Sequence, residues 1–270
     1  MFRKLWAFCK RDWQLALTYR YAFLYELGRT FALFLSFFFI GKLFADTRIH
    51  PQLAAYGGNY FRFVFLGIAF SGLMTTALGS LKKMISFELG SGTLEAILLT
   101  PTPFATFAIG KVLWDFGLVL VKTAGYLLMG TILFRVDFSQ ANWFALFPIL
   151  GLTSATFFGL GLLSAGFFLL TRETSPLEMM MGWASRFLAG VYFPVAVLPD
   201  WLRVLSSYLP LTYTLEAARK VLIAGSSIET VGRELTVLTC FSVLLLPLGL
   251  VFFTRAFDQA RHKGSLGLQN

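Results

Sequence analysis

Six apolar runs, at residues 30–45, 63–81, 112–134, 143–170, 177–198 and 235–254, constrain this chain more than any other feature. An α-helix needs about 20 apolar residues to cross roughly 30 Å of hydrocarbon, and five of the runs are near or above that length. The first is shorter. Glu26 and Arg29 just before it and Lys42 near its end predict a helix that starts upstream, with the lysine stem snorkelling outward. Of the 270 residues 57% are hydrophobic and 14% charged, and mean hydropathy is +0.70. Soluble domains carry about 45–50% apolar and 25% charged residues, so a soluble globular enzyme is excluded. The expectation is an all-α, polytopic membrane protein with six transmembrane helices.

The net charge of +9 would suggest nucleic acid on a soluble domain. Here it has to be read across a bilayer, and no nucleic-acid partner is expected. If the N-terminus is cytoplasmic, that side holds 13 Lys and Arg residues and the outer side 8, with Lys122 and Arg186 left inside spans. The positive-inside bias predicts both termini in the cytoplasm of a cell (inner or plasma) membrane. Cys9 and Cys240 lie in environments too different for a disulfide framework or a metal site. No short apolar stretch with a small-residue cleavage site follows the basic start, so the mature chain is expected to begin at Met1. Phe2, Leu5, Trp6, Cys9, Trp13, Ala16 and Leu17 recur at helical spacing, with Arg3, Lys4, Lys10 and Arg11 opposite. This predicts an amphipathic interfacial helix within residues 1–29, ahead of a transmembrane domain at 30–257 and a basic tail at 258–270.

Two stretches between spans are more ordered than tethers need to be. In 82–103, Gly90, Ser91 and Gly92 interrupt the helical pattern, Thr93 is placed to cap a short helix over 94–99, and Pro101 and Pro103 stop it. Two short cytoplasmic helices around a glycine break are expected. In 200–234, a short helix, a turn led by Pro210, and an amphipathic helix running to Ile223 and ending at Gly225 predict a re-entrant hairpin entering the membrane from outside.

At these two places the sequence resembles the permease subunits of type-2 ATP-binding-cassette exporters. Glu88-Leu89-Gly90-Ser91-Gly92-Thr93-Leu94-Glu95 with Thr100-Pro101 resembles that family's cytoplasmic E-x-x-x-GTLE…TP segment. Leu209-Pro210-Leu211-Thr212-Tyr213, followed by Glu216 and Arg219, resembles its segment after span five. The resemblance implies an export pathway formed by two copies of the chain, with a separate cytoplasmic ATPase pair docked beneath and ATP and Mg bound there. It also implies a coupling helix around Phe87, Glu88, Leu89, Gly92, Thr93, Leu94 and Glu95, whose two carboxylates accept hydrogen bonds from the ATPase while Leu89 and Leu94 enter an apolar cleft. The chain itself has no G-x-x-x-x-G-K-[ST] phosphate loop: Gly41-Lys42 and Gly110-Lys111 are followed by Leu and Val. It is expected to bind no cofactor and no metal, and to have no catalytic residue.

A cation facing lipid at mid-membrane costs about 2.5–3.5 kcal/mol on insertion scales, so Lys122 and Arg186 are expected to face protein or water. Asp115, two turns before Lys122 on the same face, is the expected partner; the alternative places Lys122 or Arg186 in a translocation cavity facing an anionic headgroup. Gly151, Ala155 and Gly159, with Gly161 and Ala165 on a neighbouring face, form small-residue stripes suited to close helix packing. The aromatics around Phe37 to Phe39, Tyr60, Phe61 and Phe63 are read as lipid-facing or interfacial-belt residues, with the lining of a sugar pathway as the alternative. With histidine only at His50 and His262, no intramembrane Ser/His pair or zinc motif can form, which disfavours a membrane enzyme. The export substrate is read as amphiphilic (lipid, drug or glycolipid), with a polysaccharide as alternative and an uncoupled channel or scaffold as the rival class.

Overall fold

A computed structural model of the chain describes residues 20–43, 59–94, 99 and 104–262. Eight α-helices run through them: α1 (Arg20–Leu43), α2 (Tyr60–Gly90), α3 (Phe104–Phe134), α4 (Trp143–Thr171), α5 (Pro176–Leu188), α6 (Asp200–Ser207), α7 (Pro210–Ile223) and α8 (Gly232–His262). A 3-10 turn, Val195–Val197, lies between α5 and α6, and no strand occurs among the described residues. Five helices, α1, α2, α3, α4 and α8, are long and apolar enough to cross a membrane.

The fifth predicted run differs from expectation. Instead of one span over 177–198, α5 takes only 13 residues, about 20 Å at 1.5 Å per residue and short of the roughly 30 Å hydrocarbon layer. Gly190 at φ +82° turns the chain, and Pro194 leads into the 3-10 turn. Residues 187–198 around the break carry no charged group, so hydropathy does not register it.

The first predicted boundary, at residue 30, falls inside α1. Of the predicted tail, 258–262 belong to α8; 1–19 and 263–270 lie outside the described residues. There is no separate first coupling helix either. Met84 to Gly90 continue α2 without interruption, because Met84, Ile85 and Glu88 remain on its buried face.

α2 is the centre of the fold: 72% of its apolar window is buried, against 11% for α1 and 17% for α8. Asn59 caps its start, accepting from the Phe61 and Arg62 amides. α3, α4 and α7 pack around it. The small-residue stripe of α4 divides by function. A Cβ on Gly161 would lie 2.5 Å from the Ala77 carbonyl oxygen of α2, and one on Gly159 would lie 2.6 Å from the Leu245 carbonyl carbon of α8. Gly151 meets nothing within 4 Å.

Several aromatics expected to face lipid form the joint between α1, α2 and α3. Phe34 packs against Phe65 at 4.6 Å and Tyr126 at 5.6 Å, and Phe61 against Phe134 at 5.0 Å and Phe38 at 5.2 Å. Phe61 and Phe63 are buried and Phe37 stacks on Tyr192, whereas Phe39 is exposed. Ring contacts thus carry much of the packing of α1 on its neighbours, which draws these side chains out of the lipid.

Candidate functional site: the two ends of α2

The two motif segments sit at opposite ends of α2, about 45 Å apart by helix rise. At its C-terminal end the Ser91 amide donates to the Phe87 carbonyl at 2.9 Å and the Gly92 amide to the Leu89 carbonyl at 3.1 Å. Gly92 has φ +67°, a conformation that favours glycine, so the chain reverses there and helical backbone resumes at Thr93. The Thr93 hydroxyl donates to the Glu88 carboxylate across the turn, and residues 95–98, which the predicted cap would serve, lie outside the described residues.

This geometry sorts the predicted coupling residues. Glu88 is turned inward and 4% exposed, and Leu94, at 1%, packs with Leu81, Ile85, Leu162 and Leu169. Leu89 is partly buried against the same cluster. Glu88 lies on the inward face of α2, the turn folds Leu94 onto α2 and α4, and Leu89 is partly covered by the same cluster, so the carboxylate and Leu94 are not surface side chains. Phe87, 51% exposed, is the large side chain left facing out, beside exposed Ser86, Ser91 and Thr93. Glu95 lies outside the described residues.

The charged groups within spans are paired differently from expectation. Lys122 donates to Glu26 of α1 at 2.6 Å, and one turn on the Tyr126 hydroxyl donates to Thr30 at 3.3 Å. Asp115 pairs with Lys111 at 2.6 Å and accepts from Ser80. The i,i+4 lysine on its own helix thus takes the carboxylate assigned to Lys122. Arg186 lies not inside a span but exposed in the last turn of α5, with no ion pair among the described residues. Lys122 and Arg186 are not brought together.

At the N-terminal end of α2 the hairpin of α6 and α7 closes over the helix. Pro210 occupies the first turn of α7, where its missing N–H costs nothing, and Leu211 is buried. The Thr212 hydroxyl donates to the Ser206 carbonyl at 2.8 Å and the Tyr213 hydroxyl to the Ser207 carbonyl at 3.0 Å, so the motif residues brace the turn between the two helices. Arg219, 3% exposed, is the staple. Its Nη2 donates to the Gly190 carbonyl at 2.8 Å and the Phe63 carbonyl at 3.0 Å, Nε also reaches Phe63, and the guanidinium lies 3.4 Å from the Phe63 ring centroid. A polar cavity of about 490 Å³ lies beside it, lined by Phe63, Val195, Arg203, Thr212 and Glu216.

Lys220 bridges Glu216 of α7 at 3.3 Å and the buried Glu234 of α8 at 2.7 Å. Burial disfavours its ammonium, but the hydrogen bond it donates to Glu234 and the two carboxylate charges outweigh this and hold its pKa above the ordinary 10.5. Glu26, Glu178 and Glu234 were not singled out by sequence reasoning as ion-pair partners; each pairs with a lysine at least 14 residues away. Hydropathy carries no signal for such pairs.

No group of three or more His, Cys, Asp or Glu residues that could hold a metal occurs among the described residues. An all-helical chain with five helices able to cross a membrane, ordered segments at both ends of its central helix, and charges neutralised between helices is a multi-pass membrane protein. Its sequence matches the ABC-2 type transporter family over residues 3–223, and the chain belongs to that family. It is therefore a permease component of an ABC transporter, a transport subunit and not itself the catalytic one. No curated protein matches the chain significantly.

Proposed function

We propose that two copies of this chain form the pathway of an ATP-driven exporter in a cell membrane, with both termini and the Phe87 turn on the cytoplasmic side, the chain recrossing after α4 through the short α5 and the turn at 189–199 that follow α2 from Lys82 to Phe63, and the α6–α7 hairpin dipping in from outside. A separate cytoplasmic ATPase pair, holding ATP and Mg, docks against the turn after α2. The observation that carries this reading is an exposed Phe87 presented by a hydrogen-bonded turn, in an ABC-2 family chain with no phosphate loop of its own. Phe87 offers the apolar anchor of the contact, while Glu88 and Thr93 hold the shape of the turn.

The substrate is an amphiphile. An apolar cavity of about 180 Å³ between α2, α3 and α4, lined by Leu73, Val112, Phe116 and Phe158, supports this. Exposed Arg186 remains the cation available to an acidic headgroup, whereas Lys122 is engaged by Glu26. A polysaccharide substrate would place an additional carbohydrate-binding domain on the partner ATPase.

The test is a gentle detergent pull-down of the tagged chain from its native membrane, with mass spectrometry and a vanadate-sensitive ATPase assay on the eluate. A stoichiometric soluble ATPase, lost with Phe87→Ala, is the expected result. A pure oligomer of this chain without nucleotide dependence would overturn the reading in favour of a channel or scaffold.

A further inference from the structure

Besides the two motif segments, one polar cluster ties three helices together near the end of α2. The Glu178 carboxylate, in the first turn of α5, accepts from Lys82 Nζ of α2 at 2.9 Å and from the Ser164 hydroxyl of α4 at 2.9 Å. Lys82 also donates to the Thr174 hydroxyl at 3.3 Å. The pair is largely shielded, with side-chain exposures of 17% and 21%, and Glu178 sits where a helix N-terminus favours negative charge. Lys82 lies five residues before Phe87 on the same uninterrupted helix.

α5 is built to move as a unit. Arg172, at φ +61°, ends α4 just before it and Gly190, at φ +82°, follows it, so the backbone breaks on both sides. Its other end is held to α2 as well. A Cβ on Gly67 would lie 2.2 Å from the Val191 carbonyl oxygen, and Arg219 grips the Gly190 and Phe63 carbonyls together. Along α2, Gly67 and Lys82 are about 22 Å apart; within α5, Glu178 to Leu188 covers about 15 Å of helix, and the turn over 189–191 carries the chain on to the Gly67 contact. α5 therefore lies alongside α2 as a short strut fixed at each end. Between them Met179, Met180 and Phe187 stay exposed.

We infer that Lys82 and Glu178 are a positioning pair that carries a displacement of the Phe87 end of α2 into α5. This rests on the reading that an ATPase pushes on that end. A hydrophobic contact would let α2 and α5 slide, whereas a shielded charge pair braced by Ser164 and Thr174 has one geometry to keep.

The test uses the complex with its co-purified ATPase, reconstituted in liposomes, with Cys9 and Cys240 replaced by Ser and Met180→Cys as the reporter. The reporter's maleimide labelling rate is measured with and without ATP plus vanadate. The expected change in the otherwise unaltered complex is about fivefold or more, the scale of a coupled two-state element. It disappears in Lys82→Met and Glu178→Gln, persists in Lys82→Arg, and the ATPase stays bound in all of them. A reporter that responds to nucleotide equally in Lys82→Met overturns the inference and leaves the exporter reading standing. So does loss of the response in Lys82→Arg together with Lys82→Met. No response in the unaltered complex, with ATPase bound, would overturn the inference and leave the exporter reading standing, whereas a chain that carries no ATPase out of the membrane would overturn the exporter reading and the inference with it.

Discussion

Lys122 of α3 and Glu26 of α1 meet at 2.6 Å, 96 residues apart in sequence, and join a helix that otherwise touches the body mainly through aromatic rings. Either charge facing lipid alone would carry an insertion cost of about 2.5–3.5 kcal/mol. Glu26 is nearly half exposed, which limits what the pair adds beyond neutralising that cost. Lys122→Met and Glu26→Gln are each expected to destabilise the chain by about 1 kcal/mol, the scale of polar contacts between membrane helices. The double exchange Glu26→Lys with Lys122→Glu recovers at least half of the loss. Thermal unfolding in detergent, read as a double-mutant cycle, measures the coupling; additive single effects would mean no interaction.

Phe87→Ala is expected to weaken binding of the partner ATPase about 30-fold, as for a hot spot of roughly 2 kcal/mol. The unfolding temperature of the isolated chain stays the same, because Phe87 is exposed. Glu88→Ala does the opposite. It removes the buried acceptor of Thr93 and lowers the unfolding temperature first. Titrating purified ATPase onto each variant in nanodiscs separates the two effects.

Arg219→Lys is expected to behave almost as badly as Arg219→Met. The site uses Nε and Nη2 together on the Phe63 and Gly190 carbonyls and a planar cation over a ring, which an ammonium does not reproduce. A loss of about 3 kcal/mol follows from leaving those buried carbonyls unpaired. Limited proteolysis between Gly190 and Asp200 should accelerate in both variants, and an Arg219→Lys protein as resistant as the parent would contradict this.

Gly159→Leu is expected to prevent tight packing of α4 on α8, since even a Cβ falls 2.6 Å from the Leu245 backbone. Overpacking of this kind costs about 1–3 kcal/mol. Gly151→Leu on the same helix should be tolerated, with open space around it. Expression level and unfolding temperature compared side by side give the answer.

The Lys220 bridge sets an alkaline limit. Because its folded pKa lies above the ordinary 10.5, the bridge contributes its full stability below that value and loses it as pH rises through the folded pKa. The unfolding temperature should therefore fall above about pH 10.5, and Lys220→Met should flatten that alkaline step while costing roughly 1–3 kcal/mol at neutral pH for the buried Glu234 it leaves unpaired. An unchanged alkaline slope in Lys220→Met would assign the fall to other groups.

Long apolar runs bounded by polar loops are enough to locate α1, α2, α3, α4 and α8, since covering about 30 Å of hydrocarbon leaves a chain few alternatives. The Pro210 turn and the Gly225 stop were likewise legible, because proline at a helix start and glycine past its end act through local backbone geometry. The break after α5 was not: Gly190 and Pro194 sit in a run as apolar as a true span. Nor was the inward turn of Glu88 and Leu94, which depends on what the turn packs against.

The amino-acid sequence by itself determined that the chain lives in a membrane, where along the chain each long helix lies, and where the two motif segments fall. Those properties follow from transfer free energy and local propensity, which depend on a residue and its near neighbours. Tertiary structure alone decided which carboxylate each lysine meets, which aromatics leave the lipid, and which motif residues face out. Lys122 chose Glu26 over Asp115 because Lys111 already holds Asp115 one turn away, a competition that exists only once three helices stand side by side.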